Sequence, residues 1–372
     1  GLAAINIGGQ TIHSFFQLAP EPQPKPRIIK GLNGMVIKNM DVLIIDEVSM
    51  VRADLMDSIA TSLRINTNNH PLPFAGKTVV FIGDMHQLPP IVATSKEEQL
   101  FQERYDTPYF FSAESLSTVK PTTKVLTTTF RQKDQEFVGL LNNIRVGKDL
   151  ETTIGVLNAR CYKTDGAAEA VMTLTTINAT ADNINEGKLR RIDEPEFIYE
   201  AILEGDFGER ESQLPAPRTL ELRVGAQVMF LKNHAGWVNG TIGKILELGD
   251  ESARVAIESG PFKGEVTVGK ETWERVKYTW DNKRQRITAK TVGTYTQLPF
   301  RLAWAVTIHK AQGLTLESVT IDLDRGTFER GQAYVALSRC RTMEGLSLSR
   351  PLRVDDIKLD KSIIEFYSHL DI

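Results

Sequence analysis

A short apolar run, Val42-Leu43-Ile44-Ile45, ends in two carboxylates, Asp46 and Glu47. An acid at the end of such a strand can hold Mg²⁺, and a second can orient an attacking water. A second run, Val79-Val80-Phe81-Ile82, ends in Gly83-Asp84 and leads into Met85-His86-Gln87-Leu88-Pro89-Pro90. Gly83 and the paired prolines force a sharp exit. Gln87 is then offered from a constrained loop, where its amide can sense a γ-phosphate. Two arginines complete the set. Arg131 follows Thr127-Thr128-Thr129-Phe130, and Arg339 ends Tyr334-Val335-Ala336-Leu337-Ser338-Arg339. A guanidinium is always charged and forks onto phosphate oxygens. Each residue also has a bland reading: chance acids after a strand, a loop amide, a surface charge for Arg131, and for Arg339 a cation offsetting a helix dipole.

Thr307-Ile308-His309-Lys310-Ala311-Gln312-Gly313 gathers hydroxyl, imidazole, ammonium and amide before a glycine, a mixture suited to phosphate-backbone contacts. Residues 270–301 carry eight bases against three acids, with Trp273, Tyr278, Trp280, Tyr295 and Phe300 interleaved. Cations with aromatics are what single-stranded nucleic acid binding uses; an aromatic core under solvated lysines has the same composition. Gly76-Lys77-Thr78 imitates the end of a phosphate-binding loop. The pattern needs a glycine at 71, where Pro71 stands, and a helix after the threonine, where a strand is expected. It is rejected, and no other Gly-Lys pair in the chain is followed by Ser or Thr.

The elements that must position these groups follow from periodicity. The runs 42–45 and 78–82 read as buried parallel strands, and Val51, Leu55, Ile59 and Leu63 between them have helical spacing. Strand, helix, strand is an α/β layer, and ligands gather at the C-terminal edge of its sheet. A short helix is expected at 12–16. Prolines at 20, 22, 24 and 26 make a stiff extended segment. A second α/β pattern begins near 125, with strands at 124–126, 171–175 and 319–323 and helices near 134–146, 179–191 and 328–338. Residues 193–211 hold eight acids and one base and read as a solvated edge. Residues 226–297 are short β-rich runs between turns such as Asn239-Gly240, the pattern of a small antiparallel barrel inserted in the second α/β unit.

Composition bounds the rest. The chain has 372 residues, enough for two or three domains. Its 44 Lys and Arg against 47 Asp and Glu give a net charge of −3, which excludes a globally basic histone-like binder but not a local groove. Two cysteines make neither a disulfide framework nor a four-cysteine zinc site, so a reducing, intracellular and cytoplasmic setting is expected. No apolar run reaches the ~18 residues of a membrane span.

Taken in order, Gly1-Leu2-Ala3-Ala4 through Thr11-Ile12-His13-Ser14-Phe15-Phe16, Ile45-Asp46-Glu47-Val48-Ser49-Met50, Gly83 to Pro90, Thr129-Phe130-Arg131-Gln132, Thr307 to Gly313 and Tyr334 to Arg339 resemble the Pif-type branch of the RecD-like superfamily 1 DNA helicases. The resemblance spans nearly the whole chain. It implies an α/β fold of two RecA-like domains with parallel sheets. The first would be 1–124, with a short wedge insert at 19–38; the second 125–231 with 295–372; and 232–294 would be an SH3-like β-barrel insert. It implies an ATP-driven motor moving 5′ to 3′ on single-stranded DNA and acting at duplex junctions, as a monomer, in replication, repair, recombination and telomere maintenance. Asp46 would ligate Mg²⁺ and Glu47 act as general base. Gln87 would sense the γ-phosphate, Arg131 and Arg339 would be fingers from the second domain, and Gly313 would join the nucleotide site. Thr11, His13, Thr307, His309 and Lys310 would line the DNA path.

One departure matters. The family's phosphate-binding loop should precede Gly1, so the chain is expected to be a piece of a longer protein and inactive alone. Two other readings compete. A non-catalytic single-stranded DNA-binding remnant could keep the groove without using ATP. A nuclease with Asp46 and Glu47 as metal ligands would leave Gln87 and both arginines unexplained.

Overall fold

The computed structural model describes residues 9–18, 33–67, 69, 71–92, 95–119, 121–162, 172–208, 214–258, 261–281 and 286–370. Most of the proline-rich 19–38 segment lies outside them.

The strands Val42–Ile45 and Thr78–Phe81 pair in parallel, Val42 opposite Thr78 and Ile45 opposite Phe81. The ladder continues one step beyond: Ile82 N–H donates to Ile45 O (2.9 Å) and Val48 N–H to Ile82 O (3.0 Å). This locks the exits of both strands, and so the two candidate motifs, side by side. The helix Ala53–Thr67 lies under the sheet and buries Met56, Ile59 and Leu63 with Phe74, Tyr109 and Phe110. Full burial of these strands is not what the structure shows. Val42, Ile44, Val80 and Ile82 are 50, 62, 39 and 49% exposed. Alternate residues of both strands thus present one open apolar face, because no described element packs on that side.

The second α/β unit holds four parallel strands in the order 305–307, 173–175, 319–322, 346–348. Helices Gln135–Val146, Leu150–Cys161, Asn178–Arg190 and Gln332–Leu337 accompany it. Asp134 caps the first of these through Glu136 N–H, and Gly147, at φ 75°, ends it. One expectation fails here, and one helix was not anticipated. Residues 124–126 form no strand: nothing pairs with them, and Leu126 is 88% exposed. The helix Leu150–Cys161 carries weak helix formers in Thr152, Thr153, Ile154 and Gly155, and the burial of Thr153, Ile154, Leu157 and Cys161 outweighs them.

Between these parts the chain is antiparallel β. Five strands run in the order 264–269, 252–257, 242–248, 227–230, 300–302, and three more in the order 271–281, 286–297, 202–205. Pairing therefore crosses both expected limits of the 232–294 insert, since 227–230 joins 242–248 and 300–302, and 202–205 joins 286–297. Trp273, Tyr295 and Phe300 are fully buried. These three are core, not a stacking platform for bases, whereas the side chains of Tyr278 and Trp280 lie outside those described. The acidic 193–211 run includes the strands Phe197–Glu200 and Ile202–Gly205, and beside them Asp206 pairs with Arg275 at 2.7 Å and Glu196 with Arg223 at 3.2 Å.

Candidate active site

The two strand exits meet the second α/β unit at a cleft. Asp46 is exposed at the strand end, and its Oδ1 accepts the Glu47 N–H at 2.8 Å. Glu47 turns through left-handed backbone (φ 51°), rare for a residue with a side chain, and swings its carboxylate toward the second unit. There Gln312 donates to Glu47 Oε2 at 3.0 Å and lies 3.4 Å from Gln87 Oε1. One amide thus joins the two groups read from the strand ends. Burial, then the neighbouring Asp46 carboxylate, raises the Glu47 pKa above the ordinary carboxylate value, against the pull of Gln312 and Arg339. Sequence reasoning did not single out Gln312. The signal was its place just before Gly313, whose φ of 83° turns the chain immediately after it.

Arg339 follows the helix Gln332–Leu337 and is 1% exposed. Its Nε donates to Val335 O (2.9 Å) and its Nη2 to Ser338 Oγ (2.8 Å). The helix-end reading is therefore right about local geometry but incomplete. The guanidinium is buried with no carboxylate partner among the described residues and stands beside a second guanidinium, that of Arg131. Burial first, and then Arg131, hold its pKa down to about 10, while Tyr334 and Glu47 pull the other way. Arg131 is fixed by Thr315 Oγ1 (3.0 Å) and Ser338 O (3.4 Å), and burial also lowers its pKa. The adjacent Gln132 braces the arrangement, donating to both Ser338 O and Cys340 O at 2.9 Å. Two cations near one another, both without an acidic partner among the described residues and both near Glu47, are an arrangement suited to an anion. Phe130, 88% exposed beside Arg131, adds an open aromatic face that sequence reasoning did not use.

The other predicted residues are held apart from this group. Thr11 is exposed and caps the helix Ile12–Phe16 through Ser14 N–H (3.2 Å), with His13 in the same helix. The preceding Gln10 donates to Val276 O of the long β-hairpin, tying the first unit to the β module. Thr307 is 3% exposed, and its hydroxyl accepts the Lys310 N–H at 3.4 Å, so it shapes the turn. His309 meets Glu329 at 2.8 Å and stacks on Phe328. Lys310 is exposed on that turn. Gly76-Lys77-Thr78 runs from a tight turn into the second strand, as the rejection of a phosphate loop there requires. Among the described residues no cluster of three acids, histidines or cysteines could hold a metal by itself. No described helix is long and apolar enough to cross a membrane.

Two parallel sheets that bring a carboxylate pair and a glutamine from one unit against two arginines from the other define an α/β protein whose cleft gathers acids, an amide and two cations. Comparison with known proteins makes this specific. Residues 1–154 match the family model of PIF1-like helicase, and residues 211–248 match that of the 2B domain of DNA helicase Pif1. The chain is 34% identical to an ATP-dependent DNA helicase PIF1 from Emericella nidulans, over all of this chain and 55% of that protein. It is 31% identical to an ATP-dependent DNA helicase Pif1 from Bdellovibrio bacteriovorus, over all of this chain and 81% of that protein. Against Bacteroides Pif1 in complex with ADP-AlF4 the TM-score is 0.87, at 33% identity, covering 99% of this chain and 84% of that one. Against the same helicase bound to single-stranded DNA it is 0.72, at 34% identity, covering 99% and 85%. The chain belongs to the PIF1-like helicases of superfamily 1, and it spans about half the length of the fungal relative.

Proposed function

We propose that this chain carries the motor of an ATP-dependent DNA helicase that moves 5′ to 3′ on single-stranded DNA and opens duplex junctions. The reading takes the two parallel sheets as two RecA-like domains, 1–124 and 125–231 with 295–372. It takes the antiparallel strands centred on 232–294 as an SH3-like insert and 19–38 as a short wedge.

The observation that carries the reading is the pair Arg131 and Arg339, buried or half-buried, without carboxylate partners among the described residues and facing Glu47. The γ-phosphate of ATP supplies the missing anion. Gln87 contacts it from the first domain, and Glu47, steadied by Gln312, takes the proton of the attacking water. As the terminal phosphoryl leaves the β-phosphate oxygen, the two guanidinium groups offset the charge that develops. Gly313 gives the turn that aims Gln312. The exposed Asp46 suits Mg²⁺, which is commonly held by one or two carboxylates with substrate phosphates, and the ion would screen phosphate charge there. Phe130 offers its open face to the base. Thr11 and His13 from one domain, and Thr307, His309 and Lys310 from the other, border the DNA strand, the buried Thr307 by shaping its turn.

A remnant that only binds DNA has no use for two unpaired arginines aimed at Glu47. The separating experiment is equilibrium binding of a fluorescent ATP analogue to the full-length protein. Arg131→Ala and Arg339→Ala should weaken it several-fold or more. Unchanged nucleotide affinity, with DNA affinity reduced instead, would favour the remnant.

A further inference from the structure

Asp84 stands at the head of the loop that carries Gln87, and the second α/β unit engages both of its oxygens. Its Oδ1 accepts its own loop's His86 N–H (3.1 Å) and a bond from Arg145 Nη2 (3.2 Å), on the helix Gln135–Val146. Its Oδ2 accepts the Tyr334 hydroxyl at 3.2 Å, from the helix that leads into Arg339. The loop is pressed against that helix at a second point. Gly331, at φ 70°, has no room for a side chain: a Cβ there would come within 2.4 Å of His86 O and 2.5 Å of Gln87 O. The same loop is held from behind by the C-terminal helix Lys361–Ser368, where Tyr367 stacks on His86 at 5.0 Å and its hydroxyl meets Met85 N–H at 3.4 Å.

We propose that Tyr334 and Arg145 are positioning residues for ATP hydrolysis: by gripping Asp84 across the cleft they make the Gln87 loop and the Arg339 helix one mechanical unit. This rests on the reading of Gln87 and Arg339 given above. Neither Tyr334 nor Arg145 need touch the nucleotide. Their bonds fix the distance between a group on one side of the phosphate and a group on the other. A hydroxyl and a guanidinium on two different helices, converging on one carboxylate, resist both sliding and rotation of the loop. One bond alone would leave a hinge.

The test is DNA-stimulated ATP hydrolysis by the full-length protein, with melting temperature recorded for every variant. Tyr334→Phe keeps the ring and removes one bond. It should lower kcat about tenfold or more, as small misplacements of catalytic groups do, with KM for ATP and melting nearly unchanged. Asp84→Asn should produce a similar fall, and the double variant should be no worse than the poorer single, because both break one linkage. If Asp84→Asn unfolds, Arg145→Lys takes its place in the cycle, with the same expectation. Wild-type kcat in Tyr334→Phe, or losses that multiply in the double variant, would overturn the inference. Arg339→Ala is run beside them. Normal hydrolysis there would remove the functional reading itself, whereas impaired Arg339→Ala with normal Tyr334→Phe would remove only the linkage.

Discussion

Glu47 combines three conditions that a general base needs. Its backbone is held in a left-handed turn, its carboxylate is bonded by Gln312, and burial beside Asp46 raises its pKa. In the full-length protein, Glu47→Gln should abolish turnover and leave nucleotide binding intact, since the amide keeps the shape but cannot accept the water's proton. Rate and filter-binding measurements on one preparation check both halves. The raised pKa also fixes a pH dependence. The base works only when ionised, so the acid limb of kcat against pH should lie above the ordinary carboxylate range. The stability sign runs the other way from a salt-bridged acid. A carboxyl whose folded pKa is raised favours the fold at low pH and loses that advantage as pH rises through the folded value. Glu47→Gln should therefore melt higher than wild type at pH 7 and lose that gain in acid below the unfolded pKa, which calorimetry at two pH values would read.

Elements were more legible in the sequence than their surroundings. The strands 42–45 and 78–81 and the helix 12–16 stand where β-branched runs and spacing put them, because local pattern decides them. The site followed, since residues at strand exits inherit the strand's placement. Burial did not follow. Ile44 and Val80 read as core, but the partner for that face is not among the described elements. Trp273, Tyr295 and Phe300 read equally as platform or core, because the face of a strand that meets a second sheet is a tertiary fact. Gln312 was legible only as one amide in a stretch suited to phosphate-backbone contacts, because its partners, Glu47 and Gln87, lie more than 200 residues away. The docking of the C-terminal helix on the first unit was likewise illegible. Phe366 stacks on Phe111 at 4.3 Å and Tyr367 on His86. That stack carries a prediction. Burial, then Arg145, lowers the His86 pKa to about 4 from 6.5, so the folded state binds fewer protons between those values. Stability from this group is full above pH 6.5 and is lost as pH falls toward 4. His86→Phe keeps a ring on Tyr367 and should flatten the decline of melting temperature over that window. An unchanged decline would assign it to other groups.

At the scale of the molecule, Val42, Ile44, Val80 and Ile82 present an open apolar face among the described residues, and Arg131 and Arg339 face Glu47 with no acidic partner among the described residues. The overall shape resembles Bacteroides Pif1 with ADP-AlF4 more than the same helicase on single-stranded DNA, with TM-scores of 0.87 and 0.72. In this chain the Gln10–Val276 bond joins the first unit to the β-hairpin. The central claim is that the two α/β units jointly form one site of ATP hydrolysis, with the second supplying the charge that stabilises the transition state. Its most direct measurement is kcat of DNA-stimulated ATP hydrolysis by full-length Arg339→Ala. A finger of this kind is worth roughly 10³ to 10⁵ in turnover, so the account predicts a fall of at least about a hundredfold, with melting and nucleotide-free DNA affinity little changed and poor rescue by Arg339→Lys. A variant that hydrolyses ATP at the wild-type rate but unfolds more easily would return Arg339 to the end of its helix and contradict the account.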